Sequence, residues 1–192
     1  MDLDNTQEVI KKAARELFRK YGYNKTSVNE IAKKAKVAKA TIYKYFDSKE
    51  LLLQSILMDY IRLSIQELIH TTSEELDREA YLTNLILKTS RLSYAICNEF
   101  IGWDFIRESA NAQEFLKTLS DDLEKLLIQS YQETALFKNE ESYIDRLRFL
   151  IKASKSIVFS FAFTSVSDAD VKKNFISFQK EILPYLIKAA VR

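Results

Sequence analysis

TSVNEIAKKAKVAKATIYKYFDSKE, residues 26–50, reads as two short helices joined by a tight turn and followed by the first residues of a longer helix. Ser27 stands three residues before Glu30, the spacing at which a serine hydroxyl and a glutamate carboxylate together satisfy the free N–H groups of a helix start. Apolar Val28, Ile31, Ala32 and Ala35 then share one face, so a helix is expected from about Val28 to Ala35. Lys36 and Val37 make the turn. Beyond it Ala38, Ile42 and Phe46 repeat every four residues, and a second helix is expected to hold this row inward. A pair of helices of this kind presents its second member to a DNA groove.

The outward face of that second helix follows from geometry. At about 100° per residue, Ile42 in the core puts Ala40 and Lys44 roughly opposite, with Thr41 and Tyr43 on the flanks. Small Ala40 lets the backbone approach a base pair, Thr41 offers a hydroxyl and a methyl, and Lys44 reaches a base edge or a phosphate. Lys39, Tyr43, Tyr45 and Lys49 fall on the shoulders, where hydroxyl and ammonium groups meet phosphate oxygens. With Ser27 at the start of the first helix, the candidate DNA contacts are Ser27, Lys39, Ala40, Thr41, Tyr43, Lys44, Tyr45 and Lys49.

The run VAKATIYKYFDSKELL at 37–52, preceded by GYNKTSVNEIAKKA at 22–35, resembles the DNA-binding segment of TetR-family transcriptional regulators over roughly residues 5 to 56. The most specific elements are Thr41-Ile42-Tyr43, Tyr45-Phe46 and Lys49-Glu50-Leu51. The resemblance implies DNA contacts at Lys39, Thr41, Tyr43, Tyr45 and Lys49. One departure is Ala38, which stands where the family often has a capping serine. A lost cap costs about 1 kcal/mol, so a slightly frayed helix start is expected.

Charge distribution agrees with a polyanionic partner. Residues 1–50 carry 12 Lys and Arg against 7 Asp and Glu, a balance of +5, whereas residues 51–192 carry 17 against 20, or −3. The overall +2 therefore conceals a basic N-terminal third.

Composition bounds the remainder. A chain of 192 residues, 47% hydrophobic, with one proline and two glycines can bury a sizeable core but has few turn-formers for strands. An all-α fold is expected, with a helix-turn-helix domain at 1–50 and a helical ligand-binding and dimerisation domain at 51–192. A first helix from about Thr6 to Tyr21 carries Val9, Ala13 and Leu17 beside Ile10, Ala14 and Phe18, and Gly22 closes it. A long helix from Asp47 to about Ile69 is expected to turn Leu51, Leu52, Ile56, Tyr60 and Leu63 inward. Further helices are expected near 76–98, 99–110, 112–135, 142–166 and 168–191. Within them Ile157, Phe159, Phe161 and Phe163 alternate with smaller residues as in a strand. With no second strand to pair with, helix is the better reading. The opening MDLDNTQE is unlike a secretory signal and no apolar run reaches a membrane span, so a cytoplasmic, soluble protein is expected. The lone Cys97 fits a reducing compartment and a small buried apolar role.

In the last helix Val171, Phe175, Phe178, Ile182, Tyr185 and Ala189 follow spacings of four and three, a seam for packing on other helices, and the preceding helix widens its apolar surface around Phe161. Phe161, Val171, Phe175, Phe178, Ile182 and Tyr185 are the candidate dimer contacts, and Pro184 is expected to kink the seam near Leu183. The family resemblance implies pairing through two C-terminal helices, reading of two half-sites of a near-palindrome, repression as the usual mode, and an inducer held between the middle helices. Candidates to line that pocket are Tyr94, Phe100, Trp103, Arg107, Tyr131, Phe159 and Phe163, with Cys97, Phe105 and Arg91 nearby. The expected partners are an operator duplex, a second copy of the chain and a small, largely apolar or aromatic inducer of unknown identity.

Enzymatic readings find little support. Glu67 and His70 have the spacing of a di-metal carboxylate bundle, but such a site needs two copies and the chain has one histidine. There is no glycine-rich phosphate loop, no paired cysteines and no nucleophile, base and orienter set, so no catalytic residue, metal or cofactor is expected. Two alternatives stay open: an architectural DNA-binding protein with little sequence preference, and a regulator controlled by a protein partner.

Overall fold

The computed structural model describes residues 3–72, 77–102, 110–133 and 142–191, and every regular element among them is helical. Helix α1, Leu3–Tyr21, begins three residues before the expected start and buries Ile10, Ala13, Ala14 and Phe18. It stops at Gly22, whose φ of 81° favours glycine and whose N–H donates to the Phe18 carbonyl at 2.8 Å.

Helix α2, Val28–Ala35, has the full capping box. The Ser27 backbone N–H donates to the Glu30 carboxylate at 2.8 Å, and the Glu30 N–H donates to the Ser27 hydroxyl at 3.3 Å. These bonds hold the Glu30 carboxyl below its ordinary range, the backbone bond from Ser27 contributing most. The turn that follows places Lys36 in the left-handed region at φ 56°, with its N–H on the Lys33 carbonyl and the Val37 N–H on the Ala32 carbonyl at 3.1 Å. A side chain there costs about 1–2 kcal/mol, part of which glycine gives back as chain entropy. Lys36→Gly is therefore expected to raise the unfolding free energy by about 0.5–1 kcal/mol and Lys36→Val to lower it, as urea denaturation would measure.

Helix α3, Lys39–Tyr45, buries Ile42, and Phe46 at its end is buried as well. Ala38, expected in the same row, is exposed. It is the extended N-cap, outside the helical turn whose period the row assumes, and it supplies no side-chain hydrogen bond. Helix α4, Lys49–Thr72, is capped by the Ser48 hydroxyl, which accepts from the Leu51 N–H at 3.1 Å. Its buried residues are Leu52, Leu53, Ile56, Leu57, Ile61 and Ile65, whereas Leu51, Tyr60 and Leu63, expected inside, are exposed. Three consecutive leucines let the apolar period start in more than one phase, and packing selects the phase.

Helix α5, Arg78–Ala95, runs without a break into a π-helical stretch, Ile96–Ile101. The end expected near residue 98 falls instead at Gly102, with φ 88° and its N–H on the Cys97 carbonyl at 2.9 Å. Cys97 is buried as expected, and burial pushes its thiol up to about 12. It is expected to resist a thiol reagent at neutral pH in the folded chain and to react promptly in urea.

Helices α6, Ala110–Glu133, and α7, Ser142–Thr164, follow, and α7 includes the alternating Ile157–Phe163 stretch as helix. Helix α8, Asp168–Ser177, is capped by the Ser167 hydroxyl, continues through a π-helical turn, Phe178–Ile182, and passes into α9, Leu183–Val191. The interruption expected at Pro184 takes the form of that wider turn. Proline has no N–H and its ring crowds the carbonyl four residues back, so the turn before it opens.

The chain divides into two compact units, Met1–Ile61 with Ala95–Ser120, and Arg62–Tyr94 with Asp121–Arg192. The first has Ile10, Phe18, Ile31, Leu52 and Ile56 at its core; the second has Tyr81, Leu85, Leu150, Phe178 and Leu183. In the second, the Tyr143 hydroxyl donates to the Val191 carbonyl at 3.1 Å and ties α7 to the end of α9. No helix among the described residues is long and apolar enough to cross a membrane.

Candidate nucleic-acid interface

Helix α3 is short and has no side-chain cap, so its position depends on what packs beneath and beside it. Ile42 is 2% exposed. Just beyond α3 in the chain, the start of α4 is cross-linked to the 22–26 turn. The Thr26 hydroxyl donates to the Gly22 carbonyl at 2.9 Å, and the Tyr23 hydroxyl donates to the Glu50 carboxylate. The Lys49 ammonium donates to the Tyr23 and Thr26 carbonyls at 3.0 Å each and sits 4.0 Å from the Tyr23 ring centroid. Phe18 packs on the same ring at 5.6 Å.

The electrostatics follow from these contacts. The Tyr23 hydroxyl bond, more than any other factor, holds the Glu50 carboxyl below its ordinary range. Burial first, then Glu50, pushes the Tyr23 hydroxyl up. Burial lowers the Lys49 ammonium against the attraction of Glu50. A second link, the buried Lys11 ammonium on Asp59 at 2.7 Å, joins α1 to α4. Together these bonds tie α1 and the 22–26 turn to α4, the helix that follows α3 in the chain.

The outer surface of α3 is left bare. Lys39, Ala40, Tyr43 and Lys44 are exposed on one face, Tyr43 to 43%, and the Lys39 ammonium lies 5.9 Å from the Tyr43 ring. Thr41 and Tyr45 are half-buried on its edges. Ser27 is exposed, but its hydroxyl donates to Glu30 at 2.7 Å. Lys49 differs from the other candidates: it is half-buried and two of its hydrogen bonds go to backbone carbonyls. Those acceptors lie 26 and 23 residues away, beyond any local pattern. The Tyr23–Glu50 pair was missed for the same reason.

The pocket candidates are scattered. In the second unit Tyr94 packs edge-on against Phe175 at 5.7 Å, as Phe161 does at 5.2 Å. Phe159 and Phe163 are exposed, and their rings lie 5.8 Å apart. Phe100 belongs to the first unit, where it is buried between Tyr60 and the Arg19 guanidinium. Trp103, Phe105 and Arg107 lie outside the described residues, as do the side chains of Tyr131 and His70. Of the dimer candidates, Phe161 and Phe178 are buried inside the chain, Val171, Phe175 and Ile182 are half-buried, and Tyr185 is 74% exposed. Phe149 and Ile176, which the seam omitted, are exposed too.

Known proteins bear on this geometry. Residues 10–56 match the profile of the family described as bacterial regulatory proteins, tetR family. Over 156 residues the chain is 31% identical to the uncharacterized HTH-type transcriptional regulator YuxN of Bacillus subtilis strain 168, covering 79% of this chain and 53% of YuxN. The chain thus spans about half the length of that curated relative. Its fold is similar to that of the transcriptional regulator FadR from Bacillus subtilis, solved in complex with stearoyl-CoA, at 22% identity and a TM-score of 0.52 over 95% of this chain and 98% of that one. It is also similar to a TetR transcriptional regulator from Rhodococcus sp. RHA1, at 18% identity and a TM-score of 0.61 over 99% and 96%. The capped α2, the left-handed turn, the bare face of α3 and the matched N-terminal profile converge: residues 10–56 form a DNA-binding segment of the kind found in bacterial regulatory proteins of the tetR family.

Proposed function

We propose that the chain is a sequence-specific DNA-binding regulator of transcription, a repressor that reads a near-palindromic operator as a homodimer in the cytoplasm. The observation that carries this is the exposed row Lys39, Ala40, Tyr43 and Lys44 on a helix whose opposite side is anchored by Ile42. Ala40, Thr41 and Lys44 meet base edges; Lys39, Tyr43 and Tyr45 meet phosphates. Ser27 serves the capping box and Lys49 the turn, and both position the reading helix. Residues 1–50 read DNA and residues 51–192 bind ligand and dimerise.

Pairing uses the outward apolar side chains of α7, α8 and α9, namely Phe149, Phe159, Phe163, Ile176 and Tyr185, all more than a third exposed. Phe161 and Phe178 stiffen this surface from within. An inducer, small and largely apolar or aromatic, releases the operator by favouring a spacing of the two reading heads that DNA cannot match. That FadR was solved with stearoyl-CoA supports a ligand-responsive fold. Analytical ultracentrifugation on a bound duplex tests the assembly: two chains per duplex are expected, and one chain per duplex with unchanged affinity would reject the dimer.

A further inference from the structure

Among the described residues a single non-glycine has a positive φ: Lys36, in the turn between α2 and α3, at φ 56° and ψ 39°. Glycine adopts that conformation without strain; lysine does not. What the turn needs is supplied by the main chain. The Lys36 N–H donates to the Lys33 carbonyl at 3.3 Å, and the Val37 N–H donates to the Ala32 carbonyl at 3.1 Å. Glycine at 36 would make the same bonds. The Lys36 side chain is exposed and takes no part in them. A strained side chain that gives the fold nothing back is explained by what it meets outside the chain.

The pairing of charges around the turn points the same way. Lys11 and Lys34 each face a carboxylate of their own chain, Asp59 and Glu16, at 2.7 Å. Among the described residues Lys36, Lys39 and Lys44 make no such ion pair. All three are exposed, one in the turn and two on α3. Cations left without an internal partner along one short stretch suit an external polyanion.

The docking of such helix pairs gives Lys36 its place. The second helix lies in the major groove with its N-terminal residues at the base edges, and the first crosses the phosphate backbone. The turn between them therefore passes the wall of the groove. Lys36 precedes Lys39, the first residue of α3, by three positions, which span at most about 10 Å. Its ammonium, on a flexible four-carbon stem, extends that reach toward the flanking strand.

We propose that Lys36 is a further DNA contact, its ammonium neutralising a backbone phosphate beside the groove that α3 enters, and that the strained turn is retained for this charge. The inference deepens the reading of the chain as a DNA-binding regulator and rests on it. A phosphate carries no sequence information, so the contact adds affinity for every duplex alike.

The probe is a duplex drawn from the pool that the full chain retains out of random DNA, titrated at several salt concentrations. Lys36→Gly is expected to lower the slope of log affinity against log salt by about 1 for each chain bound, and to bind about fivefold more weakly per chain at about 0.15 M salt. Its stability moves the other way, upward, so the lost affinity is not a lost fold. Lys36→Asn removes the charge with a side chain that tolerates the left-handed region, and is expected to match Lys36→Gly without the added backbone freedom. Lys36→Arg keeps the charge and is expected to keep the affinity and the slope of the unaltered chain. Unaltered affinity and slope in Lys36→Gly and Lys36→Asn, or a loss in Lys36→Arg as large as in Lys36→Gly, would overturn the proposal while leaving DNA binding in place. Failure of the unaltered chain to retain any DNA would overturn both this proposal and the reading beneath it.

Discussion

Lys49→Met is expected to lower the unfolding free energy by about 2 kcal/mol while leaving the salt dependence of DNA binding almost unchanged. A hydrogen bond from a charged donor is worth about 1.5–3 kcal/mol, and the Lys49 ammonium makes two, to the Tyr23 and Thr26 carbonyls. The sum is reduced because Lys49 is only half-buried, so water replaces part of what is lost, and because burying its charge is itself unfavourable. Methionine keeps the hydrophobic stem and removes the donors. Affinity for every duplex should fall as α3 loses its support. A phosphate contact would behave differently: its removal lowers the slope of log affinity against log salt by about 1 and leaves stability alone. Urea denaturation with a salt titration of binding separates the two. Unchanged stability with a shallower slope would return Lys49 to the phosphate set.

Lys44→Ala and Thr41→Ala should change which sequences are preferred, each altering discrimination at one or two positions by about 1–3 kcal/mol, or roughly five- to 150-fold. Tyr43→Phe should weaken all sequences alike. Lys44 and Ala40 lie opposite the buried Ile42, whereas Tyr43 is exposed beside them about 100° round the helix from Ile42, with the Lys39 ammonium near its ring. A base contact is lost for one base and kept for another; a phosphate contact is the same for all. Competition between a bound duplex and its single-base variants measures the difference. Uniform weakening by all three substitutions would contradict this division of labour.

What could be read without the structure was local. The Ser27–Glu30 box and the end of α1 at Gly22 depend on residues within four positions of each other, and both stand as read. The helical state of Ile157–Phe163 also followed, since a strand there would have lacked a partner. Where the reading slipped, the deciding interaction was distant or the pattern was degenerate. Leu51, Leu52 and Leu53 admit more than one phase, and only packing put Leu51 outside. Alternation in α7 does not say which phenylalanines turn in; Phe161 does, and Phe159 and Phe163 do not. Gly102 carried the signal for the end of the π-helical stretch and was passed over within an apolar run.

The central claim is that the bare face of α3 reads a particular sequence. Selection of the purified full chain against random duplex DNA at near-physiological salt, followed by sequencing of the retained pool, tests it most directly. The account predicts enrichment of a two-fold-symmetric motif with its half-sites about one helical turn apart or a multiple of it. Retained DNA without an enriched motif would contradict it and leave a charge-driven, sequence-indifferent DNA-binding protein in its place.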